Sequence, residues 1–218
     1  MNLRLALKAA AQFAVFQAAW FACVLGAAHG RPGWGVAAVG AVVALNWAWS
    51  DARMVEVRMT LLAILLGAAW DTWMLRSGVL SYASPGPMPT FAPIWILALW
   101  ALFATLLRGP LAWLHGRPLL ASLMGAVGGP LSYLAAVRLG AGAFPDASRA
   151  MLVLALGWAV MTPALTEAAR FLNMERRPGR ALQRRLGMAT AHLRAFLRAS
   201  SAAGPQVGDG ERGKQEKR

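Results

Sequence analysis

Six apolar stretches follow one another along the chain, at 9–28, 33–49, 57–75, 91–107, 119–140 and 150–169. Each holds about 17–22 residues, the length an α-helix needs to cross about 30 Å of hydrocarbon. Inside a bilayer only helices and closed barrels satisfy every backbone N–H and C=O, and the sequence holds no convincing strand. The expected fold is therefore all-α: a polytopic transmembrane bundle of about six spans over 1–173, with a basic tail over 174–218.

Composition and charge agree with that class. Apolar residues make up 58% of the chain and charged residues 14%, against about 45–50% and about 25% in soluble domains. Ten tryptophans suit membrane interfaces, where Trp concentrates. The net charge of +13 could suggest nucleic acid, but twelve of the 22 Lys and Arg lie from Arg170 onward and most of the others lie between apolar stretches. That is the distribution of a membrane protein with a basic cytoplasmic tail, and nucleic acid is not expected as a partner. The single cysteine, Cys23, excludes an internal disulfide and a multi-cysteine zinc site, and is read as a small buried hydrophobe.

Basic residues also set orientation. Arg4, Lys8, Arg53, Arg58, Arg108, Arg117 and the tail lie on one side; Arg31, Arg76, Arg138 and Arg149 lie on the other. Counting Lys and Arg in this way places both termini in the cytoplasm. The first stretch competes with a signal peptide, since Gly26-Ala27-Ala28 could be cleaved. Its length and its Gln12, Gln17 and Trp20 favour an uncleaved helix. A lipoprotein site at Cys23 is disfavoured because Trp20 stands where a small aliphatic residue is needed. Ser81 to Thr90, SYASPGPMPT, reads as an external loop without regular structure, and Pro93 as part of the first turn of the fourth helix.

In the tail, Leu182, Leu186, Ala189, Leu193, Phe196 and Leu197 recur at helical spacing among arginines. This predicts a basic amphipathic helix over 180–200 lying on anionic inner-leaflet lipid, or else a solvated helix on a partner. Residues 202–218 read as disordered.

The fifth stretch, LLASLMGAVGGPLSYLAAVRLG, is expected to organise the bundle. Gly125, Gly128, Gly129 and Pro130 lie in its middle and predict a bent or broken helix, with the other helices gathered round it. Gly125 and Gly129 form a G-x-x-x-G pair that admits close backbone approach. A faint echo at a separation of 58 residues sets LLAILLGA from Leu61 against LLASLMGA from Leu119, and Trp100 against Trp158. Leu, Ala and Gly are abundant enough for coincidence to be the simpler explanation.

Asp71 is the residue that points most directly to chemistry. A carboxylate within a span costs about 2.5–3.5 kcal/mol on insertion scales, so it should face the interior and have a partner. Arg76 and Arg138 are the nearest cations by depth, while Tyr133 and Ser132 could donate hydrogen bonds. Asp71, Arg76, Tyr133 and Arg138 thus form the candidate polar site: a proton, cation or headgroup site, or a structural ion pair. Glu167 reads as an interfacial carboxylate paired with Arg170, and Asn46, Gln12 and Gln17 as groups that join helices.

Enzyme signatures are absent from the sequence. His29, His115 and His192 have no second ligand at metal spacing, so neither a metal nor a cofactor is expected. There is no G-x-S-x-G, no second mid-span Asp for an aspartyl protease, and no P-loop or G-x-G-x-x-G after a strand.

The segments GAAWDTWMLRSGVLSY, PIWILALWALFATLL and GAVGGPLSYLAAVRLGA together resemble a bacterial family of integral membrane proteins, domain-of-unknown-function family 2878, over Gln12 to Ala169. The resemblance implies a small inner-membrane protein with no assigned activity and a role linked to lipid. Ala135-Ala136 departs from the pattern where relatives carry glycine. The expected function is an accessory or binding component for lipid or another hydrophobic small molecule, with that molecule or a membrane protein as its partner. The alternative is a small proton- or cation-coupled secondary transporter using Asp71. A membrane enzyme with Asp71 as general base is the weakest of the three readings, since no second catalytic group accompanies it.

Overall fold

A computed structural model describes residues 3–202, with side chains at residue 3 and over 7–174. Six α-helices carry the apolar stretches: α1 (Leu3–Ala28), α2 (Pro32–Trp49), α3 (Arg53–Arg76), α4 (Ile94–Ala104), α5 (Pro118–Arg138) and α6 (Ala147–Ala202). The chain divides into two units, Met1–Asn173 and Met174–Arg218. The side-chain faces expected over 180–200 lie outside the described residues, as do residues 203–218; Ala202, where disorder was expected to begin, is the last residue of α6.

Among the described residues three helices are long and apolar enough to cross a bilayer: Leu7–Ala28, Pro118–Arg138 and Ala147–Met174. The fourth stretch forms a helix shorter than the expected span. Pro93 is its extended N-cap rather than part of its first turn, and the helix ends at Ala104 after 11 residues, about 16 Å of rise. Turns and one 3-10 turn (Ala112–Leu114) carry the chain on to α5. The charged ends of α3, together with Asp71, keep that helix below membrane-helix hydropathy despite its 24 residues.

The centre of the bundle is α4, not α5. α4 packs against α1, α2 and α3, and Trp95, Ile96, Trp100, Ala101, Leu102 and Ala104 are all buried. α5 buries only the stripe of Ala121, Gly125, Gly129 and Pro130. It exposes Leu119, Leu123, Val127 and Leu131, and α6 exposes Leu152, Leu156 and Val160. Rows of exposed large aliphatics are unfavourable in water and ordinary against lipid tails.

Nor is α5 broken, since it runs from Pro118 to Arg138 through Pro130. Its glycines act by omission of a side chain instead. A Cβ on Gly125 would strike the Trp158 carbonyl and Thr162, and one on Gly129 would land on the Trp158 indole, whereas one on Gly128 would meet nothing. Ser122 adds a hydrogen bond to the Ala159 carbonyl, so a flat face of α5 lies directly on α6. In the same way, a Cβ on Gly67 of α3 would land on the Trp100 indole of α4. At the positions related by the 58-residue echo the contacts differ, since a Cβ on Gly67 would meet the Trp100 indole and one on Gly125 the Trp158 carbonyl; the two indoles stack at 4.9 Å.

The loop after α3 contains regular structure that its sequence does not suggest. Gly78 (φ 67°) turns the chain out of α3, with Val79 N–H on the Met74 carbonyl, and Gly140 (φ 89°) does the same after α5, with Ala141 N–H on the Ala136 carbonyl. The two outgoing segments meet as antiparallel strands β1 (Ser81–Tyr82) and β2 (Gly142–Ala143), with Tyr82 opposite Gly142. Gly142 has no room for a Cβ, because Ser81 O lies against it. This ladder fixes where Tyr82 enters the bundle.

Candidate functional site

Buried positions on α3 recur every three or four residues, at Met59, Ala63, Gly67, Asp71 and Met74, so Asp71 lies on the face turned inward. It has no exposed surface. Its carboxylate accepts three hydrogen bonds: Tyr82 Oη at 2.5 Å and Tyr133 Oη at 2.7 Å, both to Oδ1, and Trp100 Nε1 at 2.7 Å to Oδ2. β1, α5 and α4 each supply one donor. Three donors and no acceptor are the complement of an ionised carboxylate, which can only accept. Burial first, then the neighbouring carboxylate, hold the Tyr82 phenol well above its ordinary range, which keeps it a donor.

Of the four residues expected at this site, the structure brings two together, Asp71 and Tyr133. Arg76 is exposed at the end of α3, where its Nε donates to the Thr90 carbonyl at 3.0 Å and its guanidinium lies 4.6 Å from the Phe91 ring centroid. Arg138 is exposed in the last turn of α5. Neither forms a salt bridge with Asp71. Ser132 is half-buried and also makes no bond to it. The residues missing from the expectation are Tyr82, hidden in a proline-rich loop, and Trp100, one of ten tryptophans.

All three donors line one cavity of about 80 Å³. Phe16 and Trp20 of α1 form one wall, Trp95, Leu99 and Phe103 of α4 another, and Ala136 and Val137 of α5 a third, with Trp158 of α6 also on the lining. α1 and α5 both contribute to the lining. No helical residue of α3 lines it. Asp71 lies behind the wall, holding the polar ends of Tyr82, Tyr133 and Trp100 so that mainly ring surface faces the cavity. Trp158 Nε1 is buried without a partner.

A second polar cluster joins other elements. Arg108 bonds Glu56 of α3, the Ser50 hydroxyl at 3.1 Å and Asn173 Oδ1 at 2.7 Å, with Asp51 at 3.7 Å. Glu56 is buried, and its role went unread in the sequence. Glu167 pairs with Arg170 at 3.0 Å and accepts the Gly116 N–H at 2.7 Å. Gln12 reaches the Thr105 carbonyl at 2.8 Å, and Cys23 is buried against the Trp95 carbonyl.

Fold and site together define a small all-helical protein with three membrane-length helices and an aromatic cavity backed by a buried carboxylate. The chain belongs to the family described as "Protein of unknown function (DUF2878)", whose model matches residues 9–164. No curated protein and no solved structure matches it.

Proposed function

We propose that the chain is a multi-pass inner-membrane protein, with both termini in the cytoplasm, that binds lipid or another small hydrophobic molecule in the aromatic cavity. It acts as an accessory or binding component rather than as an enzyme, and its basic tail adds affinity for anionic inner-leaflet lipid. One observation carries this reading: every polar side chain bonded to Asp71 lines the cavity and turns its hydrogen-bonding end away from it. A pocket with an apolar lining and few polar groups is the usual form of a small-molecule site.

The test is photolabelling in nanodiscs with a diazirine-bearing long-chain alcohol, read as labelled peptides by mass spectrometry. Label is expected on peptides of α1, α4 and α5 that line the cavity, and Ala136→Phe, which fills it, should remove that label. Labelling spread evenly over the outer apolar faces and unchanged by Ala136→Phe would refute the reading.

A second reading, a proton- or cation-coupled transporter, draws on the burial of Asp71 without a basic partner among the described residues. Proton flux into proteoliposomes that is lost in Asp71→Asn would favour it.

A further inference from the structure

We infer that the cavity selects a ligand whose polar end is an organic ammonium cation. The inference rests on the cavity being a binding site and names the charge of what it binds.

Charge is the first argument. No Lys, Arg or His lines the cavity, so nothing there would neutralise a phosphate or a fatty-acid carboxylate. The formal charge bonded to its lining is that of Asp71, one hydrogen bond behind Tyr82, Tyr133 and Trp100. Among the described residues no cation pairs with that carboxylate. A cationic ligand in the cavity would supply the missing counter-charge, and an anionic one would be repelled through the wall.

Ring geometry is the second. Tyr82 and Trp95 stand perpendicular, at 87° and 5.4 Å between centroids. Trp100 and Trp158 stack at 4.9 Å, and Tyr133 tilts at 66° to Trp158. Trp20 closes the α1 side of the lining. Tyr82 with Trp95 and Tyr133 with Trp158 are set at steep angles on the lining, and aromatic faces carry the negative side of the ring quadrupole. Alkylated ammonium groups are bound in this way, with attraction that grows as the site becomes drier.

Equilibrium dialysis in uncharged maltoside micelles tests this with hexanoylcholine against its uncharged carbon isostere, 3,3-dimethylbutyl hexanoate. Wild-type protein is expected to bind the ammonium ester at least about tenfold more tightly. Trp20→Leu should weaken the ammonium ester several-fold and leave the isostere nearly unchanged. Competition by added phosphatidylcholine but not phosphatidylglycerol would assign the ammonium to a lipid headgroup; competition by neither would assign it to a free amphiphilic amine. Equal binding of the two esters, both removed by Ala136→Phe, would overturn the charge preference and leave the cavity as a binding site. Binding of neither ester would overturn the binding site itself. The comparison is made on wild-type protein, so it stands even if variants at Asp71 do not fold.

Discussion

Tyr82 and Tyr133, the only two tyrosines in the chain, donate to the same oxygen of Asp71, at 2.5 and 2.7 Å. One comes from a two-residue strand and the other from α5, so a single carboxylate oxygen ties the loop after α3 to a membrane-length helix.

Removing either hydroxyl while keeping its ring isolates that tie. Tyr82→Phe and Tyr133→Phe should each lower stability by about 1.5–3 kcal/mol, the range for hydrogen bonds to charged groups. Because both bonds end on one atom, the double variant should depart from additivity by at least about 0.5 kcal/mol. Thermal unfolding in detergent of the two single variants and the double variant measures this.

Arg76→Gln and Arg138→Gln should change stability by less than about 0.5 kcal/mol, since neither arginine pairs with Asp71. A loss comparable to that of Tyr133→Phe would restore the ion pair that the sequence suggested.

The glycines separate by face. Gly129→Ala pushes against the Trp158 indole and Gly67→Ala against the Trp100 indole, and each should cost about 1–3 kcal/mol. Gly128→Ala meets nothing and should be neutral or stabilising. The same unfolding assay ranks the three.

Arg108 and Glu56 form a buried pair at side-chain exposures of 15% and 7%. Arg108→Leu leaves a buried carboxylate without its cation and should cost about 3–5 kcal/mol, whereas Arg108→Leu with Glu56→Leu should recover much of that loss. A double variant as unstable as the single would show that Ser50 and Asn173, rather than charge, hold Arg108.

Depth along each helix was legible in the sequence, and rotation about each helix only partly. Hydropathy placed Asp71 inside a helix and Tyr133 near its level. Arg76 and Arg138 follow Asp71 and Tyr133 by five residues each, which is about 140° round an α-helix. The arithmetic that turns both arginines away from the carboxylate was therefore available, although depth alone put them beside it. Gly125, Gly129 and Pro130 read as a break because glycine and proline weaken helices in water; in the bundle the glycines make a flat face for Trp158. Tyr82 was not legible. Its position depends on pairing with Gly142, sixty residues on, and a two-residue strand has no periodicity to detect. Trp100 was hidden for a different reason: tryptophan in an apolar helix reads as an interface anchor, and only the missing Cβ of Gly67 brings its N–H to Asp71.

The most direct test of the account is the infrared difference spectrum of wild type against Asp71→Asn at neutral pH, repeated in Tyr82→Phe, Tyr133→Phe and Arg76→Gln backgrounds. Carboxylate stretching bands are expected to shift when either tyrosine hydroxyl is removed and to stay in place when Arg76 is changed. Bands indifferent to both tyrosines, or displaced by Arg76→Gln, would contradict it.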